Sequence, residues 1–136
     1  MAALSAPRNT VERSGVLREP PVKGSTTIYQ GALVAIDSTG YLVPAATATT
    51  LKVIGRAEQT VDNSAGADGA LRCRVTSGIF RWDNSASSDA IALSDVGADC
   101  YAVDDHTVAK TSGTSTRSVA GKIHDVDASG VWVRTI

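Results

Sequence analysis

Apolar and polar residues change places every one or two positions along this chain, in bursts of four to eight. Leu71, Cys73 and Val75 share one parity and Arg72, Arg74 and Thr76 the other. A period of two is the signature of pleated strands, because successive side chains leave a strand on opposite faces. No convincing amphipathic helix competes with it. Two stretches carry the same device. In residues 32–43 an apolar run meets Asp37, Ser38, Thr39 and Gly40, and a second run begins with Tyr41. In residues 121–134 an apolar-rich run meets Asp127, Ala128, Ser129 and Gly130, and Trp132 follows. Asp and Ser or Thr bond the local backbone and Gly accepts positive φ, so both stretches predict β-hairpins.

Further strands are predicted over residues 26–30 and over 51–61, the latter interrupted at Gly55, with a turn-rich loop over 62–69. Residues 70–83 give the clearest alternation. Beyond Gly78 the parity changes, and Phe80 and Trp82 become the large apolar residues. One extra residue at Ser77 and Gly78, a bulge or bend, would return them to the face of Leu71, Cys73 and Val75 and align Arg81 with Arg72 and Arg74. Residues 94–97 read as a capped turn, at most one short helical turn. Residues 100–103 and 107–110 make a hairpin around Asp104, Asp105 and His106, and 118–125 with 131–136 close the chain. The expected fold is all-β: a small antiparallel barrel or sandwich built of hairpins.

Residues 1–24 fit no period. Pro7, Pro20, Pro21 and Gly24 interrupt helix and central strand alike, which predicts an extended N-terminal arm outside the core and a β domain over 25–136. The arm holds Arg8, Arg13, Arg18 and Lys23 against Glu12 and Glu19, so it is net basic on a chain of net charge −1. It is either a solvated tail or an arm suited to an acidic surface. The overall balance argues against direct nucleic-acid binding through a broad basic field.

The 136 residues suit one domain. Aromatic content is 4% within 43% hydrophobic, so the core must rest on Val, Ala, Ile and Leu and is expected to be thin, stabilised further by self-association or docking. Cys73 and Cys100 form no Cys-x-x-Cys pair, and no secretory signal or membrane-length apolar run accompanies them. That predicts free, buried thiols in a protein made in a reducing cytoplasm.

Candidate chemistry is sparse. Residues 125–130 match the start of a calcium loop, but the late bidentate carboxylate falls on Ile136, so a hairpin turn is the expectation and no metal is assigned. The 62–69 loop lacks the Lys and Ser/Thr of a phosphate-binding loop. His106 has two acidic neighbours at a hairpin tip and His124 has Asp125, without a nucleophile motif. No catalytic residue or cofactor is expected. Arg72, Arg74 and Arg81 are either a solvated strand face or an interface stripe supplying planar donors to carboxylates.

Residues 26–45, 52–58 and 61–69, then 103–110, Ala120 to Lys122 and the closing Asp127 to Val133 stretch resemble, in kind and order, the capsid cement (decoration) proteins of tailed bacteriophages. The resemblance implies a β-rich structural protein on the outer surface of the virion, bridging major capsid protein subunits against internal DNA pressure. It further implies a homo-oligomer, a trimer or else a dimer, with an extended terminal arm on the shell, no membrane and no enzymatic role. The expected capsid contacts are Arg8, Arg13, Arg18, Lys23, Arg72, Arg74 and Arg81. The competing function classes are a carbohydrate- or cell-surface-binding module using Tyr29, Tyr41, Trp82 or Trp132, and an enzyme using His106 or His124.

Overall fold

Leu33, Val34, Ala35 and Ile36 make an unbroken apolar run, and the fold uses both of its faces. The computed structural model describes residues 2–13 and 15–135. Strand β3 (Leu33–Ile36) sits inside a five-stranded antiparallel sheet with β1 (Leu17–Arg18), β4 (Leu42–Pro44), β5 (Lys52–Ala57) and β7 (Val75–Thr76), in the order β1-β7-β5-β3-β4. A two-stranded ribbon pairs β2 (Thr26–Ile28) with β6 (Val61–Asn63). The remaining strands close a barrel in the order β10-β8-β12-β11-β9: β8 (Ile79–Asn84), β9 (Asp99–Ala102), β10 (Thr107–Ala109), β11 (Val119–Asp127) and β12 (Gly130–Arg134). The all-β barrel of hairpins expected from the sequence is the observed architecture. Among the described strands one pair departs from antiparallel, apart from the isolated parallel bridge of Val22 to Leu42: β10 runs parallel to β8, because the β9–β10 hairpin brings the chain back in the direction of β8.

Two cores lie on either side of the central sheet. Leu33, with half-buried Val53, joins the barrel core of Trp82, Ile91, Cys100, Val108, Ile123, Val131 and Val133. Val34, Ile54 and Leu42 face the other way, into a core with Val22, Ile28, Val61, Cys73 and Val75. Each buried Val, Leu or Ile contributes about 1.5–3 kcal/mol of transfer free energy, so the scarcity of aromatics is met by number.

Both signature hairpins form. Asp37 Oδ1 accepts from the Thr39 N–H (2.9 Å), the Thr39 hydroxyl (2.7 Å) and the Tyr41 N–H (3.1 Å). In the closing hairpin Asp127 Oδ1 accepts from the Ser129 N–H at 2.8 Å, and its Oδ2 takes the Trp132 indole N–H at 2.8 Å. Residues 125–130 are thus a hairpin turn. A helical turn appears at Leu93–Asp95, and a second, Ser87–Asp89, lies in the loop read only as polar; both are single 3-10 turns.

The 70–83 alternation is not one strand. The chain bends at Ser77 and Gly78 and passes from the central sheet into the barrel. Cys73 and Val75 therefore enter one core and Trp82 the other, while Leu71 is exposed. The 51–61 run also splits, into β5 and β6, which belong to different sheets. The arm divides as well. Residues 2–13 are exposed and carry no strand or helix. Residues 17–23, expected outside the core, are sewn onto it. Leu17 and Arg18 pair with Thr76 and Val75, Pro21 bridges Arg72, Val22 bridges Leu42, and Val22 is fully buried. The Asn63 amide, itself buried, donates to the carbonyls of Val22 (3.2 Å), Lys23 (3.1 Å) and Ala67 (3.0 Å), clasping this strap to the 64–70 loop.

Gly55 faces Val34 where the β3–β5 register slips by one residue, leaving Ile54 as the extra residue of a bulge. Its φ is +152°, and a Cβ there would collide with the Thr76 carbonyl oxygen of the next strand. Gly40, at φ +91°, has open space around it. Gly55→Ala is therefore expected to cost well over about 1 kcal/mol, and Gly40→Ala only the backbone strain of about 1 kcal/mol. Urea melts of the two variants check the order, which equal losses would contradict.

Candidate functional site

The seven basic residues expected to make contacts are carried by different parts of the fold. Arg8 and Arg13 lie on the exposed segment, where the Arg8 guanidinium bonds the Thr10 hydroxyl at 2.8 Å. Arg18 is exposed on β1 and Arg74 is exposed beside β7. None of these four is in an ion pair among the described residues. Lys23 and Arg72 instead serve the fold. Lys23 Nζ lies 3.1 Å from Asp37 Oδ2, and Arg72 Nη1 donates to the Glu19 carbonyl at 2.7 Å. Arg81 stands apart in the barrel, its guanidinium 5.6 Å from the centre of the Trp132 ring. The bend at Gly78 is what separates it from Arg72 and Arg74.

Around Arg81 a groove of about 450 Å³ opens between the central sheet and the barrel, lined by Gly31, Arg56, Phe80, Arg81 and Trp132 among others. Arg56 lies 4.2 Å from the centre of the Phe80 ring, and its Nε and Nη2 both donate to Glu58 Oε1. Two guanidinium groups against two aromatic faces give planar donors held by cation–π contact. Sequence reasoning passed over Arg56, since its partner Phe80 lies 24 positions away and no local pattern links them. Of the aromatic candidates for sugar stacking, Tyr29 is exposed, Tyr41 and Trp132 are half-buried, and Trp82 is buried in the barrel core.

His106 is exposed at the β9–β10 tip, its Nδ1 3.0 Å from Asp105 Oδ1 and 3.1 Å from Asp104 Oδ1. The hydrogen bond to Asp105, helped by the charge of Asp104, raises its pKa above the usual histidine value. These three side chains lie close enough to offer ligands to one cation. The backbone around them is structural: the Asp105 carbonyl accepts from the Leu33 N–H and the His106 carbonyl from the Asp83 N–H, both at 2.8 Å. His124 is an exposed extra residue at a bulge in β11.

Cys73 and Cys100 are free and fully buried, in different cores. Burial raises both thiol pKa values, that of Cys100 to about 12. Thiols held in the neutral form are poor nucleophiles.

No family model matches this chain, and no curated protein or solved structure is found to be similar to it.

Asp37 links strap and hairpin. The Thr39 hydroxyl above all, with the Tyr41 N–H, Lys23 and the Thr39 N–H, holds its carboxyl well below the usual 3.8, against an opposing effect of burial. A depressed folded pKa means stability that is present above the unfolded value and lost as pH falls below it. Asp37→Asn is expected to destabilise the protein by about 1–2 kcal/mol at pH 7. Its deficit against the parent should shrink as pH drops below about 4. Denaturant melts at pH 7 and pH 3 test this, and a pH-independent gap would contradict it. Both cysteines should resist a disulfide reagent in the folded protein and react in urea. Fast labelling of the native protein at pH 7 would show that a core opens.

Proposed function

We propose that this protein is a structural cement of a tailed-phage head, binding the outer surface of the assembled shell and bridging its major capsid protein subunits. The observation that carries the reading is the contrast within the first 24 residues. Residues 16–23 are sewn into the body. Residues 2–13 lie open, bearing Arg8, Arg13 and the exposed apolar side chains of Leu4 and Val11. An anchored segment presenting basic and apolar groups together suits a protein surface that supplies carboxylates and apolar cover. The resemblance to cement proteins, over most of residues 23–136, agrees in kind with the hairpins found there. Repeated sites on a shell let modest contacts act together, as in any multivalent attachment. The shell-bound form is taken to be a homo-oligomer, a trimer in preference to a dimer.

The competing reading is a carbohydrate- or cell-surface-binding module displayed on a virion, which exposed Tyr29 favours. Glycan-array binding with no affinity for heads would select it.

Deleting residues 2–13 tests the leading reading, because the body should keep its fold without them. Affinity for expanded heads is expected to fall about tenfold or more, with the melting temperature within about 2 °C of the parent. Unchanged head occupancy by the truncated protein would refute the role of the arm, and failure of the full chain to bind heads would refute the function.

A further inference from the structure

Ile79 and Arg81 belong to a strand edge that no other strand covers. On one side β8 pairs with β12, through Ile79 with Arg134, Phe80 with Val133, Arg81 with Trp132 and Trp82 with Val131. On the other side β10 meets it only at Asp83 and Asn84. In an antiparallel ladder the N–H and C=O of one residue point to the same side, and the side alternates along the strand. The Gly78 carbonyl accepts from the Thr135 N–H, just past β12, while the Asp83 N–H donates to the His106 carbonyl, just before β10. Even-numbered residues therefore turn their backbone groups to β12, and Ile79 and Arg81 turn theirs away. Among the described residues no backbone group or strand receives them. What lies beside them is the groove of Gly31, Arg56, Phe80, Arg81 and Trp132.

We propose that this open edge takes an extended acidic segment of a partner polypeptide as an added strand. Exposed donors and acceptors on a strand edge are a template for pairing, and an incoming strand would complete the ladder over about 7 Å, the rise from Ile79 to Arg81. Charge selects the occupant. Arg56 and Arg81 flank the edge, and Glu58 engages only Nε and Nη2 of Arg56, leaving donors for carboxylates. The protein's own arm is a poor occupant, since Arg8 and Arg13 outnumber its one acid, Glu12, and carry the sign of Arg81. Arg81 is in no ion pair among the described residues, while Arg56 is already paired with Glu58. Edge-to-edge pairing with a second copy would set the two Arg81 side chains on one face, directly opposite or diagonal according to register, where like charges repel. The inference goes beyond the cement reading and does not require the partner to be a shell protein. A failed head-binding test leaves it standing, and its own failure leaves the arm's role untouched.

Amide-resolved NMR of the full chain tests it, with a hexapeptide of alternating valine and glutamate and its valine–lysine counterpart as probes. In the free protein the amides of Ile79 and Arg81 should exchange with solvent faster than those of Phe80 and Trp82. The glutamate peptide should shift and protect Ile79 and Arg81 saturably, and the lysine peptide should bind about tenfold more weakly or worse. Arg81→Glu should narrow or reverse that preference; if this variant does not fold, the wild-type measurements decide alone. An Arg81 amide already protected in dilute free protein would overturn the proposal. So would protection that grows with protein concentration alone, equal binding of the two peptides, or shifts confined to another edge.

Discussion

A sheet buried on both faces is the constraint on which the rest of this molecule depends. Strand β3 sends Leu33 into the barrel core and Val34 into the core under the β2–β6 ribbon, and β5 divides Val53 and Ile54 in the same way. With a single Phe and two Trp, this chain covers apolar surface by packing small branched side chains in two layers rather than large ones in one. The cost is tight spacing: at Gly55 the next strand lies too close for any side chain, and a bulge restores the parity of the residues that follow.

The polar groups that matter most to the architecture are short side chains acting on nearby backbone. Asp37 and Asp127 organise the two hairpin turns, and Asn63 satisfies three carbonyls where the strap meets the 64–70 loop. The Asn63 amide is buried, so with all its partners it specifies one arrangement of the chain, and with a partner missing it is a penalty. Half-buried Asp37 and exposed Asp127 act on their turns with water as the alternative partner. Lys23 and Arg72 were absorbed by this work, which is why they are less available to a partner than Arg8, Arg13, Arg18 and Arg74.

How much of this was legible depended on range. The hairpins at residues 32–43 and 121–134 were readable because Asp, Ser or Thr and Gly act over four consecutive positions. The two-faced burial of β3 left a trace in its unbroken apolar run, though a run of that length does not say what lies on either face. The path through Gly78 was marked by a change of parity. Its result, a crossing between sheets instead of a bulge within one, depends on partners such as β12 that lie 50 residues away. The strap was hidden for the same reason. Pro20 and Pro21 argue for irregular chain, and nothing local reports that Val22 fills a core or that Asn63 holds its carbonyl. Among the site residues, charge and position in the arm were visible, whereas the pairing of Arg56 with Phe80 and the open side of β8 exist only in the folded chain.

The strap has a mechanical consequence. Any tension applied through residues 2–13 enters the body along Val16 to Lys23. There the Val16 carbonyl holds the Ser77 N–H, Leu17 and Arg18 pair with β7, and Val22 and Lys23 bond Leu71 and Leu42. A pull along the direction of β1 loads these bonds together, in shear; a pull across it opens them one at a time, like a zip. The same tether is therefore strong along one axis and weak along another, and the angle at which the arm leaves its anchor sets how much force the joint withstands.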